Sequence, residues 1–514
     1  MHHATDAAPP GVTPPKGGAA GGLLGALRTA FSFPVMLVAW IFLVVVRLAE
    51  RNLPDPDIWW HLRNVQYLFA HHQLPNVDTY SFTVAGQPWM NHEWLAEIPY
   101  YLAWRAFGLE GIEILMLVLL ESIFLLLVYL SYQRSHHIKA SILACWFAVA
   151  LGTVNFGPRT VLFGYLYMVI LLIILERFRA RGGAVLWWLP PLFCLWINTH
   201  GSWSLGMLIF GLFIGCGMVQ GQWGNLVAQR WAPQDLRKLV IVYITAGASL
   251  FANPYGYKLV AYPVIYASRL PLNITFTQEW ITVDFHSPRG KVALVLLATL
   301  FTSALVSRFQ WRLTDLAFIL FAFYCGLTYD RFLFLAGVIA APIVAEMATF
   351  VPPYRPEIDK RWLNAAIIFG ILAFVTYRFP TPDDLEEQVA QEYPADILPF
   401  LKANQFPGRT LNYYNWGGFL EWNAPQIKTF VDTRVDIFEY AGVFGDYLKV
   451  HALVDPEGVL DQYHIQYVLF PTQEPVIRML EGSSNWKPIF KDPLTTMLER
   501  VEPQPTGASP QGSN

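Results

Sequence analysis

The sequence predicts a polytopic α-helical membrane protein of about eleven transmembrane helices, with a carboxyl-terminal extracytoplasmic α/β domain. Three observations carry this expectation. Of 514 residues, 54% are hydrophobic and only 14% charged, a balance foreign to soluble domains. Apolar stretches recur between residues 33 and 377, separated by short polar connections. Beyond about residue 380, Gly, Pro and charged residues return, and β-type runs alternate with helical ones. A formal net charge of -3, with Lys and Arg scattered singly, offers no surface for nucleic acid. Cys145, Cys194, Cys216 and Cys325 all lie in apolar stretches, as small buried residues rather than disulfides or metal ligands.

Taken in order, residues 1–30 read as a disordered cytoplasmic tail, 31–379 as the transmembrane portion, 380–505 as the α/β domain and 506–514 as a second disordered tail. The stretch 33–48 is the first span and an uncleaved export signal. Further apolar stretches follow at 109–132, 140–154, 161–176, 184–197, 202–220, 239–252, 292–307, 314–328, 332–351 and 362–377. With a cytoplasmic amino terminus, every inner loop is basic: Arg134 and Lys139, then Arg177, Arg179 and Arg181, then Arg230, Arg237 and Lys238, then Arg308 and Arg312, then Arg355, Lys360 and Arg361. The short outer turns carry only Arg159 and Arg331, although the longer stretch 254–291 adds Lys258, Arg269, Arg289 and Lys291. This places a multi-pass protein in the cell (inner) membrane with its tail outside.

The same topology gathers polar residues on one rim. Asp55, Asp57, His61, His92, Glu93, Arg159, Asn198, His200, Asn253, Tyr255, Glu279, Asp284, Tyr329, Asp330 and Arg331 all fall in outer connections. Ionisable groups at membrane depth are costly unless they pair or line a wet cavity, so the rim is a site hypothesis; helix capping at the interface is the plainer alternative.

Within the first outer segment, 50–108, Asp55-Pro56 is an N-cap followed by proline in the first helical position. Ile58, Leu62, Val65 and Phe69 then form an apolar stripe, with Asp57, His61 and Asn64 on the neighbouring one, shown to a cavity. A second amphipathic helix starts near Asn91-His92-Glu93-Trp94 and runs through Trp104. In the tail, strands are expected at 409–414, 428–431, 467–470 and 495–499. Asp432, Arg434 and Asp436 either bind a ligand at a strand end or form an ion cluster fixing the domain on the membrane portion. Trp416-Gly417-Gly418 reads as a packing turn.

Asp57-Ile58-Trp59-Trp60-His61-Leu62-Arg63, with Tyr67-Leu68 downstream, resembles the Asp-Pro-Trp-Phe-Asn-Tyr-Arg segment of the oligosaccharyltransferase catalytic subunit. That subunit is one of the GT-C superfamily of integral membrane glycosyltransferases, with the protein mannosyltransferases and aminoarabinose transferases. Trp416-Gly417-Gly418-Phe419-Leu420 and Phe430-Val431-Asp432-Thr433-Arg434 are similar to segments of bacterial GT-C proteins of unassigned substrate. The chain departs from the pattern in two places. Gln87-Pro88-Trp89-Met90-Asn91-His92-Glu93-Trp94 replaces the usual Lys-Pro-Pro-Leu segment, and the acceptor-recognising Trp-Trp-Asp motif is absent.

The resemblance implies a glycosyltransferase that moves a sugar from a polyprenyl-phosphate donor to an envelope glycan, lipid or protein acceptor at the extracytoplasmic face, with inversion. Asp57 matches the family's catalytic aspartate, with Asp55 the other candidate base. Such displacement needs a base for the acceptor hydroxyl and cations or donors for the departing phosphate. His61 would orient the base or hold the acceptor, with His92 and Glu93 on the same wall. Arg331 and Arg159 suit the phosphate, Asn198 and His200 add donors, and Glu279 and Tyr329 complete the substrate-binding set. No cofactor is required; a divalent cation (Mg or Mn) held by Asp57, His61 and Glu279 is an option without a dedicated motif. The alternative is a transporter or polyprenyl-carrier-binding protein on the same scaffold. Transporters show inverted repeats and midplane ionisable groups, and here the polar residues keep to one face.

Overall fold

The computed structural model describes residues 19–50, 52–276, 280–306, 309–348 and 350–501. Residues 1–18 of the first expected disordered tail, all of the second (506–514), the end of the expected α/β domain (502–505) and the candidate Glu279 lie outside the described residues. Ala19–Ala30, within the stretch expected to be disordered, is helical; Ala and Leu dominate it, and Arg28 in its last turn suits the helix dipole.

Each apolar stretch anticipated from sequence contains a helix, although three helices stop short of the expected ends, at Cys216, Ser249 and Met347. Among the described residues, four helices are long and apolar enough to cross a membrane, or five with the bent pair below, against the about eleven expected: Trp94–Ser135, Ile138–Asn155, Val161–Arg181 and Pro288–Val306. Phe33–Ala49, Ala184–Ile197, Trp203–Cys216 and Leu313–Thr328 are apolar but shorter. Arg361–Arg378 continues into Pro382–Glu392 across a 61° bend. At the centre lies Leu333–Met347, buried almost throughout. Gly337 lets it approach its neighbour Ile138–Gly152, since a Cβ there would sit 2.7 Å from Ala148 Cα. At the end of the bundle expected to be cytoplasmic, Arg134 pairs with Asp315 and Glu346, and Arg312 with Glu176 and Glu346, tying separate helices together.

The first outer segment forms two helices. Pro56–His71 begins as its sequence dictates, with the Asp55 carboxylate accepting from the Asp57 N–H at 3.0 Å, and ends on His72 in the left-handed region. Trp94–Ser135 is broken at Phe107 and Gly108, where Gly108 takes φ 61°. The break divides a surface leg from a spanning leg.

Beyond the last apolar helix, four strands form one sheet. Arg409–Asn412 pairs parallel with Ile465–Pro471, which pairs antiparallel with Thr495–Arg500, itself antiparallel to Trp486–Lys491. Residues 428–431 do not join it, contrary to the sequence expectation. Their polar groups are spent otherwise: Thr429 bridges to Ser81, and the Phe430 N–H donates to Asn412 Oδ1 at 2.7 Å. This run therefore stitches the tail to the first outer segment.

The Gly417–Asn423 helix lies directly on the start of Pro56–His71. A Cβ on Gly418 would meet Pro56 O at 2.9 Å and Trp60 Cδ1 at 3.2 Å, and one on Gly417 would meet Val431 O at 2.4 Å. Both glycines are there because two backbones pass too close for any side chain.

Candidate functional site

Asp57 projects from the first turn of Pro56–His71 and is partly exposed. Its Oδ1 accepts from Trp60 Nε1 at 3.2 Å and from the Thr433 hydroxyl. Burial, then the neighbouring Asp55 carboxylate, push Asp57 up to about 6, against the pull of His61, Thr433 and Arg159. Asp55 is differently placed: its carboxylate caps the helix and pairs with Arg159 Nε at 2.7 Å. With both functions filled, Asp55 holds the backbone of the site, and Asp57 is the carboxylate with a free edge.

His61, one turn on, is 2% exposed and not displayed to an open cavity as the helical stripe suggested. Its Nδ1 meets Glu97 Oε1 at 2.9 Å, and its Nε2 faces Glu93 Oε2 at 3.8 Å. Burial disfavours the imidazolium, but Glu97, Glu93 and Asp57 together hold His61 above its ordinary value. Glu97 is the hub that the sequence reading missed. It also accepts from Asn64 at 2.9 Å and Asn91 at 2.8 Å, while Tyr80 donates to Asn64 at 2.9 Å. Such a satisfied buried network fixes its members rigidly. Asn64 on the same stripe as His61 was the available signal.

Glu93 is the meeting point of three imidazoles. His61, His92 and His200 present Nε2 to its carboxylate at 3.8, 3.6 and 3.6 Å. Burial raises Glu93 above the usual carboxylate range, opposed by His61, a hydrogen bond from Thr160, and Arg331. Burial likewise lowers His92, partly offset by Asp436, and its ring packs tilted against Tyr262 at 4.6 Å. His200 is held well below its ordinary value by burial, with Arg331 and His92 repelling the charged ring. Its Nδ1 accepts from the Ser202 N–H at 3.1 Å, which leaves Nε2 as the protonated nitrogen facing Glu93.

Arg331 lies with its guanidinium 4.6 Å above the Trp280 ring, and among the described residues no carboxylate pairs with it. Tyr329 packs on the same Trp280 at 5.3 Å. Asn198 is committed to structure: it accepts from Trp94 Nε1 at 3.0 Å and donates to the Cys194 and Ala252 carbonyls, so neither amide proton is available to a ligand. Asn253 caps its own turn through the Leu250 and Gly256 carbonyls, and Asp330 pairs with Arg289.

From the tail, Thr433 reaches Asp57 and Asp436 accepts from Tyr262 at 3.1 Å. Arg434 between them is buried with Asp432 and Asp78, Glu421 lying 3.8 Å away. The expected ion cluster is present in part: Asp432 pairs with Arg434, but Asp78 and Glu421 take the place expected for Asp436, which bonds Tyr262 instead, and the cluster joins the tail to the first outer segment. Among the described residues no group of three or more His, Cys, Asp or Glu is disposed to hold a metal ion, and Glu279, one of the residues considered for a divalent cation, lies outside them.

No protein-family model matches the chain, and no curated protein matches it. Solved structures do. The Archaeoglobus fulgidus oligosaccharyltransferase, tethered to an acceptor peptide containing an NVT sequon, matches with a TM-score of 0.53 at 12% identity, over 92% of this chain and 75% of that one. ArnT from Cupriavidus metallidurans bound to undecaprenyl phosphate matches with a TM-score of 0.52 at 13% identity, over 96% and 100%. Its apo form gives 0.52 at 14%, over 95% and 100%. The fold shared over nine-tenths of the chain with both proteins is GT-C-like.

Proposed function

We propose that the protein is a membrane glycosyltransferase that moves a sugar from a polyprenyl-phosphate donor to an envelope glycan, lipid or protein acceptor at the extracytoplasmic face, with inversion. The observation that carries this reading is Asp57, a partly exposed carboxylate poised near neutrality on the polar rim of a GT-C fold. Ionised Asp57 takes the proton of the acceptor hydroxyl as that oxygen bonds to the anomeric carbon. The bond from the anomeric carbon to the phosphate oxygen breaks, and its electron pair leaves with the lipid phosphate. Arg331, held over Trp280 without a carboxylate partner among the described residues, balances the departing charge. His61, fixed by Glu97, orients the wall on which the acceptor lies.

The test is transfer of radiolabelled sugar from a panel of polyprenyl-phosphate donors, in membranes carrying wild type or Asp57→Asn at matched expression. Wild type is expected to transfer from at least one donor, and the variant to lose roughly 100- to 10,000-fold. Retained transfer removes Asp57 as base. Donor binding without transfer by wild type turns the reading to a carrier-binding protein.

A further inference from the structure

We propose that Thr433, delivered by the tail, is the positioning residue of the Asp57 carboxylate, so that the base of the transfer is assembled from two distant parts of the chain. This rests on the reading of Asp57 as base. The Thr433 hydroxyl donates to Asp57 Oδ1 and accepts from the Trp60 indole N–H at 3.0 Å, while the same N–H reaches Asp57 Oδ1 at 3.2 Å. The triangle fixes one carboxylate oxygen and orients the other, which makes no hydrogen bond among the described residues.

Thr433 is held in turn. Arg434 beside it donates to Asp432 at 2.9 Å and Asp78 at 2.8 Å. Asn412 donates to the Val431 carbonyl at 2.8 Å, and Thr83 to the Phe430 carbonyl at 2.6 Å. Gly417 and Gly418 allow the close approach that brings this run against Trp60. Capping does not need Thr433, because Asp55 already supplies the cap. What the hydroxyl adds is direction at Asp57 and stabilisation of its ionised form. The other groups acting on Asp57 are Asp55 and His61 on its own helix and Arg159 from the outer turn, with Tyr393 and Tyr414 from the tail. None of these hydrogen-bonds its side chain; among the described residues only Thr433 and Trp60 do.

The experiment compares wild type, Thr433→Val and Thr433→Ser, full length, for kcat and KM against pH. The Asp57 carboxylic-acid infrared band, identified by its loss in Asp57→Asn, is titrated in parallel. Thr433→Val is expected to move the acidic limb and the infrared midpoint up by about one pH unit. It should lower kcat at neutral pH by roughly fivefold, with KM within about twofold. Thr433→Ser, which keeps the hydroxyl, should restore both. An unshifted limb and band in Thr433→Val overturn the proposal, as does failure of the serine variant to restore them. Transfer retained by Asp57→Asn removes the base reading instead, and the infrared shift then decides the Thr433–Asp57 coupling by itself.

Discussion

Two buried polar clusters join the first outer segment to the rest of the protein, and they are built on opposite principles. Around Arg434, Asp78, Asp432 and Glu421 converge on a single guanidinium, which is also flanked by the Tyr80 and Trp89 rings at 4.8 and 4.9 Å. In the second cluster the Glu93 carboxylate faces three imidazoles across 3.6 to 3.8 Å, Asp57 one turn from His61 is held by Trp60 and Thr433, and the arginines pair elsewhere or stack. A permanent charge at the centre of the first cluster locks it. In the second, burial pushes Asp57 and Glu93 up and His92 and His200 down, while nearby carboxylates hold His61 up, so that protonation rather than a fixed charge sets its balance. One cluster is a fastener and the other is chemically poised.

Removing the fastener should have the largest effect. Arg434→Met leaves three carboxylates buried without their cation, and the expected loss is about 3 to 5 kcal/mol, seen as a large fall in Tm or loss of monodisperse protein in detergent. If the variant unfolds like wild type, the contrast between the clusters collapses. Glu97→Gln tests the poised side. Because His61 is held above its ordinary value, its stabilising contribution is full below about pH 6.5 and fades as pH rises through the folded-state value. The Tm gap between wild type and Glu97→Gln should therefore be widest near about pH 5.5 and narrower near about pH 8.5. A constant gap would assign Glu97 to packing alone. The smallest structural effect is expected for Arg331→Lys. Stability should stay within about 0.5 kcal/mol, while transfer falls roughly tenfold as the planar fork and its stacking are lost.

The helical architecture was legible because apolar stretches and capping signals act locally. Asp55-Pro56 names its own helix start, and the glycine at 108 ends the surface leg that the amphipathic pattern suggested. The site was legible only in part. Asp57, Glu93 and the histidines stood out as charges beside spans, but Glu97 hides in an apolar helix and shows itself only through partners 6 to 36 residues away. Asn198 looked like a ligand donor by type, yet its amide is consumed by Trp94 and two carbonyls, which no local pattern reveals. Run 428–431 carries strand-like residues, but pairing is decided by neighbours: Thr429 bridges to Ser81, and the Phe430 N–H is taken by the Asn412 side chain instead of a strand backbone.

Asp57 and Thr433 are separated by 376 residues. At synthesis rates of roughly 5 to 20 residues per second, the first surface helix waits about 20 to 75 s for its partner to emerge. Throughout that interval the bundle is being threaded into the bilayer around an unfinished pocket. A ribosome that stalls before the tail therefore yields a product in which Asp57 still lacks the Thr433 hydroxyl and the first surface helix still lacks the backbone that packs on it at Gly418.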